Sequence, residues 1–150
     1  MTAAVNARTA DWLLDPVLSP DVHDEAMRPL YDAAGRGELA MPFCADCELA
    51  LELEQDVCDG CGARNRRWRR VDRRGVVHAA TVMHRREPGL VHADYPYPIV
   101  DVELNSGHRI VMTTAAPSHT APPIGSEVLV GFRRLGEAAI PAIDTSEVGP

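Results

Sequence analysis

The sequence predicts a mainly β protein in which an N-terminal helical arm and a metal-held ribbon precede a small closed barrel. Three observations predict it. The only four cysteines form two C-x-x-C pairs, Cys44/Cys47 and Cys58/Cys61, with ten residues between them. After Cys61, short apolar runs of strand character are separated by Pro, Gly and Asn, and no helical pattern longer than a turn is left. Before Cys44 the pattern is helical, interrupted by proline and closed by glycine.

Taken in order, residues 1–10 lack an apolar h-region and read as a frayed leader, not a signal peptide. Ser19-Pro20-Asp21 predicts a helix start, with Ser19 as cap and Pro20 at the first helical position. Pro29 interrupts that pattern, which predicts a second helix or a kinked one. Leu30, Tyr31, Ala33 and Ala34 form its apolar side, and Gly35 and Gly37 end it. Glu38 to Pro42 is an extended approach to the first cysteine pair. Leu49, Leu51 and Leu53 alternate with Ala50, Glu52 and Glu54, a period-2 strand leading to the second pair.

Each C-x-x-C turn brings two thiolates within reach of one ion, and two turns complete a tetrahedral sulfur set. That is the ligand class of structural zinc, so Cys44, Cys47, Cys58 and Cys61 predict a Zn2+ ribbon. The same donors accept iron, and dithiol redox chemistry is a further alternative. Strands follow at Trp68–Val71, Gly75–Arg86, Ile99–Leu104, His108–Thr114, Glu127–Arg133 and Ala138–Ile143, with Asn105-Ser106-Gly107 as a hairpin turn. The loop Glu87–Pro98 and a second one carrying Pro117, Pro122 and Pro123 interrupt them, and the tail from Asp144 onward reads as disordered. The predicted divisions are 1–38 for tail and arm, 39–66 for the ribbon, 67–143 for the barrel and 144–150 for the tail.

Charge is distributed unevenly along the chain. The net charge is −7 and every one of the fifteen basic residues is arginine. Residues 1–61 carry −10, residues 62–86 carry +8 and residues 87–150 carry −5. A local basic face on an acidic protein suits a small phosphorylated ligand or an acidic protein partner, and disfavours a long polyanion. No apolar run approaches the roughly 20 residues of a membrane span. Paired C-x-x-C turns without a signal peptide point to a reducing, cytoplasmic setting.

Several stretches in order resemble the DUF35 family. They are Tyr31 to Leu39 with its Gly37-Glu38-Leu39 step, Pro42-Phe43-Cys44 with both cysteine pairs, Trp68 with Gly75-Val76-Val77, Glu87 to Leu90 through Pro96-Tyr97-Pro98-Ile99, Val102-Glu103-Leu104, and Ile124-Gly125 to Val128. The likeness covers roughly residues 25–143, and the one departure is Val57 where the family has a proline before the third cysteine. The resemblance implies a helical arm, a rubredoxin-like zinc ribbon and an OB-fold. It also implies a non-catalytic accessory role in acyl-CoA and lipid metabolism, beside a thiolase-fold enzyme: a thiolase, an HMG-CoA synthase or a lipid-transfer-type thiolase or aldolase. Some relatives pair with a MaoC-like hydratase. In this role the barrel binds or channels acyl-CoA and stabilises the active complex.

Within that frame the candidate residues for CoA or partner contact are Arg66, Trp68, Arg69 and Arg73, with Tyr95 and Tyr97 in the long loop. Guanidinium groups match phosphate oxygens in pairs, and rigid tyrosines favour protein contacts. Strand alternation splits the arginines between two faces, so a solvated surface is the competing reading. The six histidines show no metal-ligand spacing and read as surface or strand residues. No G-x-S-x-G elbow or phosphate-binding glycine loop is present, so no catalytic residue is assigned. Two alternative functions stay open: a single-strand nucleic-acid-binding barrel, which the acidic charge and few aromatics oppose, and a rubredoxin-like iron electron carrier.

Overall fold

The computed structural model describes residues 10–145. All of the expected leader but Ala10, and most of the expected tail, lie outside these residues. After a 3-10 turn at Pro16–Leu18 come one helix, α1 (Arg28–Gly35), and seven strands. These are β1 (Leu39–Cys44), β2 (Arg66–Val71), β3 (Arg74–Met83), β4 (Tyr97–Leu104), β5 (Arg109–Met112), β6 (Glu127–Leu135) and β7 (Ala138–Asp144). Asp144 thus ends a strand instead of starting a disordered tail.

The arm begins differently from the sequence reading. The capping residue is Asp15, whose side chain accepts from the Val17 N–H, and Pro16, not Pro20, opens the turn that Ser19 closes. Pro29 stands in the first turn of α1, where its missing N–H costs nothing, so it starts the helix and does not kink it. Leu30, Ala33 and Ala34 bury the i, i+3, i+4 side. The helix ends at Gly37, with φ of 76°. The Gly37 N–H donates to Ala34 at 3.0 Å and the Glu38 N–H donates to Ala33 at 2.9 Å, a Schellman ending that points the chain into β1.

β1 and β2 form a two-stranded antiparallel sheet with Pro42 opposite Trp68. The strand at Trp68 therefore pairs within the ribbon. The other five strands run β5-β4-β3-β6-β7. A parallel bridge between Thr114 and Ile143 joins the two ends, which gives the near-closed OB-like barrel. The expected strand at Leu49–Leu53 is reduced to one bridge, Phe43 with Ala50. Leu51 is buried but Leu49 is 44% exposed, because this segment turns around the cysteines and its alternation serves no sheet.

The main core joins arm, ribbon and barrel, and a second, smaller cluster of Cys44, Leu51 and Cys58 surrounds the cysteine turns. Val77, Val100, Val102, Val130 and Ile143 fill the barrel, and Met27, Leu30, Leu39 and Met41 from arm and ribbon join the same cluster. Burying such side chains is worth roughly 1.5–3 kcal/mol each, so arm, ribbon and barrel stabilise one another. Among the described residues no helix is long and apolar enough to cross a membrane.

Candidate functional site

The two cysteine turns repeat one backbone geometry. The Cys44 N–H donates to Leu49 at 2.8 Å and the Glu48 N–H to Cys44 at 2.9 Å. In the second turn the Cys58 N–H donates to Ala63 at 2.9 Å and the Gly62 N–H to Cys58 at 2.8 Å. The fifth residue of each turn is left-handed, Glu48 at φ 66° and Gly62 at φ 78°. Glycine adopts that conformation freely and glutamate does not, so the first turn is the more strained. Gly60 lets the second turn close: a Cβ there would meet Leu49 at 3.2 Å and the Cys58 sulfur at 3.5 Å.

These turns bring all four sulfurs within 4.8 Å of one another. Cys44 and Cys61 are 3.6 Å apart and Cys47 and Cys58 are 3.5 Å apart. A tetrahedron with metal–sulfur bonds of about 2.3 Å has sulfurs about 3.8 Å apart, so the donor set fits a small tetrahedral metal ion. Cys44 and Cys58 are buried, whereas Cys47 and Cys61 reach the surface. The backbone N–H of Cys47 holds the Cys44 thiol down to about 7. The Leu49 N–H also favours the Cys47 thiolate, but hydrogen bonding to Cys58 and burial prevail and push that thiol up to about 12. Crowded thiols thus share their protons unevenly, and a cation that replaces those protons relieves the crowding.

The arginines of β2 divide between its two faces. The Arg66 guanidinium donates to Leu53 at 2.6 Å and to Ala26 at 2.8 Å, tying the arm to the ribbon, and it lies 5.3 Å from the Trp68 ring. Arg69 stacks over Phe43 at 3.9 Å. Arg73 donates to the Val130 carbonyl at 2.8 Å, on the barrel. Trp68 and Arg69 line an open groove of about 540 Å³ against α1, with Arg28, Asp32, Arg36 and Arg70. Tyr95 stacks edge-on against His119 at 5.8 Å, and Tyr97 opens β4 opposite Met83. Arg74 opens β3 and Met83 ends it. About 30 Å of strand separates the start of β3 from the tyrosine end, and Arg66 and Arg73 engage different carbonyls outside the groove, so the six candidate residues do not form one site.

Sequence reading did not reveal two further features. His108, expected as a surface or strand residue, is 3% exposed. Its Nε2 lies 2.7 Å from the Pro42 carbonyl, its Nδ1 2.7 Å from Ser106 Oγ, and its ring meets Phe43 edge-on at 4.8 Å. A carbonyl only accepts, so Nε2 carries the proton and Nδ1 accepts from Ser106. The residue joins the β4–β5 turn of the barrel to β1 of the ribbon. The second feature is a strap at Asp11–Asp15. Asp11 pairs with Arg133 at 2.6 Å, and Trp12 donates to the Thr114 carbonyl at 2.9 Å. The strap then holds the long loop, with the His92 N–H donating to Leu13 at 2.7 Å and the Asp15 N–H to Leu90 at 2.9 Å. Partners 66 to 122 residues apart leave no local signal.

Fold and site together define a protein in which a four-cysteine ribbon is mounted on an OB-like barrel. Residues 68–133 match the family described as the ChsH2 C-terminal OB-fold domain. No curated protein sequence matches the chain. Among solved structures, the fold is similar to a chain of the Ltp2-ChsH2(DUF35) aldolase, with TM-score 0.69 and 21% identity over 85% of this chain and 99% of that one. It is also similar to a DUF35 protein of unknown function from Sulfolobus solfataricus, with TM-score 0.50 and 11% identity over 82% and 86% of the two chains. These matches bear out the DUF35 resemblance read from the sequence. At such identities the structural likeness is one of fold.

Proposed function

We propose that this chain is a non-catalytic accessory subunit of a thiolase-like or aldolase enzyme, and that it helps to bind or channel the acyl-CoA of that enzyme in the cytoplasm. The observation that carries this reading is the likeness, over 99% of its length, to a chain of the Ltp2-ChsH2(DUF35) aldolase. Zinc is the proposed ion at Cys44, Cys47, Cys58 and Cys61, in keeping with the sulfur donor set. Bound there, it supplies no reaction chemistry and fixes the ribbon against the barrel.

Two surfaces divide the work in this reading. Trp68 and Arg69 in the α1 groove offer an aromatic face and guanidinium donors to the nucleotide end of CoA. Arg66 and Arg73, whose guanidinium groups already serve backbone carbonyls, position that surface. Tyr95, on the strapped loop, and Tyr97, at the start of β4, face the enzyme partner. A MaoC-like hydratase is the alternative partner that the resemblance implies. Titration calorimetry of the purified heteromeric complex with acetyl-CoA tests the first surface. Trp68→Ala and Arg69→Glu are each expected to weaken binding about tenfold, the loss of roughly 1.4 kcal/mol, with the complex intact. Unchanged binding in both variants would remove the groove from the account.

A further inference from the structure

β3 has two neighbours along only part of its length. Its start, Arg74 to Val76, pairs with β6, and Val77 still has both outward groups bonded: its N–H donates to Ser126 at 3.0 Å and its carbonyl accepts from Gly125 at 2.8 Å. Beyond the irregularity between Val77 and Ala79, the strand pairs with β4 alone among the described residues.

Pro98 shows which way the backbone groups beyond that point face. It stands opposite Val82, has no N–H, and its carbonyl accepts from Thr113 Oγ1 at 2.6 Å on the β5 side. Val82 and Pro98 are therefore a non-hydrogen-bonded pair. The ladder bonds fall at Thr81 with Ile99 and at Met83 with Tyr97, because antiparallel pairs alternate. The N–H and C=O of Ala80 and Val82 then point away from β4, where no described residue bonds them.

The flanking chemistry suits an added strand. From Val76 to Met83 there is no proline and no acidic, lysine or arginine residue, so of the devices that protect exposed edges only the irregularity between Val77 and Ala79 is present, and the stretch lies beyond it. Ala80 and Val82 are half-buried, with Ala80 against the core, so an added strand would bring its own alternate side chains beside them. No acid lies between Arg73 and Arg86. Arg85 remains 83% exposed although Glu87 is 2.6 Å away. A second copy of the chain would set this cationic stretch against itself, whereas a carboxylate would complement it.

We propose that the β3 edge at Ala80 and Val82 is a strand-addition site for an extended segment of another polypeptide, apolar at alternate positions and carrying a carboxylate beside His84–Arg86. Backbone pairing supplies affinity, and the alternate apolar positions supply choice of partner. The site does not depend on the acyl-CoA reading.

The test uses the full zinc-loaded chain and an end-blocked hexapeptide of alternating valine and threonine that ends in glutamate. Amide exchange by NMR should show Ala80 and Val82 exchanging faster than Ala79, Thr81 and Met83 in the free chain, then slowing when the peptide is added. Val82→Pro deletes an outward donor and no bond to β4, so it should keep the wild-type circular dichroism and bind the peptide about tenfold more weakly. Replacing the peptide's glutamate by glutamine should also weaken binding. Slow exchange at Ala80 and Val82 in the free monomer would overturn the proposal. So would full peptide binding by Val82→Pro, or a dimer of the free chain that this substitution splits, which would assign the edge to a second copy. Equal binding of the glutamine peptide would remove the carboxylate from it.

Discussion

His108 is a neutral imidazole held between ribbon and barrel, and its charge state ties stability to pH. Burial disfavours its cation, the Pro42 carbonyl partly offsets this, and Arg69 disfavours it further, so its pKa lies below the ordinary 6.5. The unfolded chain therefore takes up a proton that the folded chain refuses. This contribution to stability is complete above about pH 6.5 and declines as the pH falls from there through the lowered folded value. Urea titrations between about pH 5 and 7.5 should show stability falling on the acid side in the wild type, with a shallower slope in His108→Gln. The substitution should also cost about 1–3 kcal/mol at neutral pH through the broken buried hydrogen bonds. An identical slope in both proteins would place the titration elsewhere. Residues differ in how readable they are for a physical reason. The cysteines announce themselves because each pair closes a turn of four residues. His108 does not, because its partner Pro42 comes from a different element.

Among elements, β3 is constrained most tightly at its start, where it adjoins both β4 and β6. At Gly75 the strands approach so closely that a Cβ would lie 2.7 Å from the Glu103 carbonyl and 2.7 Å from Val102 Cγ1. Neither strand can yield without disturbing the barrel, so Gly75→Ala should lower stability by roughly 1–3 kcal/mol, read as a shift of the urea midpoint. A wild-type midpoint would mean that the ladder gives way there at no cost. The strands β4 and β5 were legible from alternation and turn residues, because the barrel gives each of them a wetter and a drier side. The segment Leu49–Leu53 alternates equally well but is no strand, since the cysteine turns at its two ends fix its path before a ladder can form. The helix start was misplaced by a comparable competition: Ser19-Pro20 and Asp15-Pro16 are both good starts, and only packing chooses between them.

For the whole molecule, the shared core makes the ribbon a part of the barrel's stability and not an appendage. Cys58→Ser removes a buried sulfur from the four-cysteine cluster, so the chain should lose the metal proposed there, measured as metal per mole of protein, together with a substantial part of its cooperative unfolding transition. A Cys58→Ser chain that keeps wild-type unfolding would show that the four-cysteine cluster braces nothing. The architecture was readable because the order of helix, cysteine pairs and strands is itself distinctive. The mutual docking was not readable, since the contacts among Met27, Leu39, Val77 and Ile143 join segments far apart in the chain. The proposed function sits at the same scale: in that reading the groove between α1 and β2 holds the ligand, and Tyr95 and Tyr97 meet the partner at a separate place.

The measurement that tests the accessory-subunit reading most directly is sedimentation equilibrium of this chain co-expressed with a candidate thiolase-like or aldolase partner enzyme. A single heteromeric species with higher enzyme activity than the partner alone is the predicted result. Two unassociated species, with the partner fully active by itself, would contradict it.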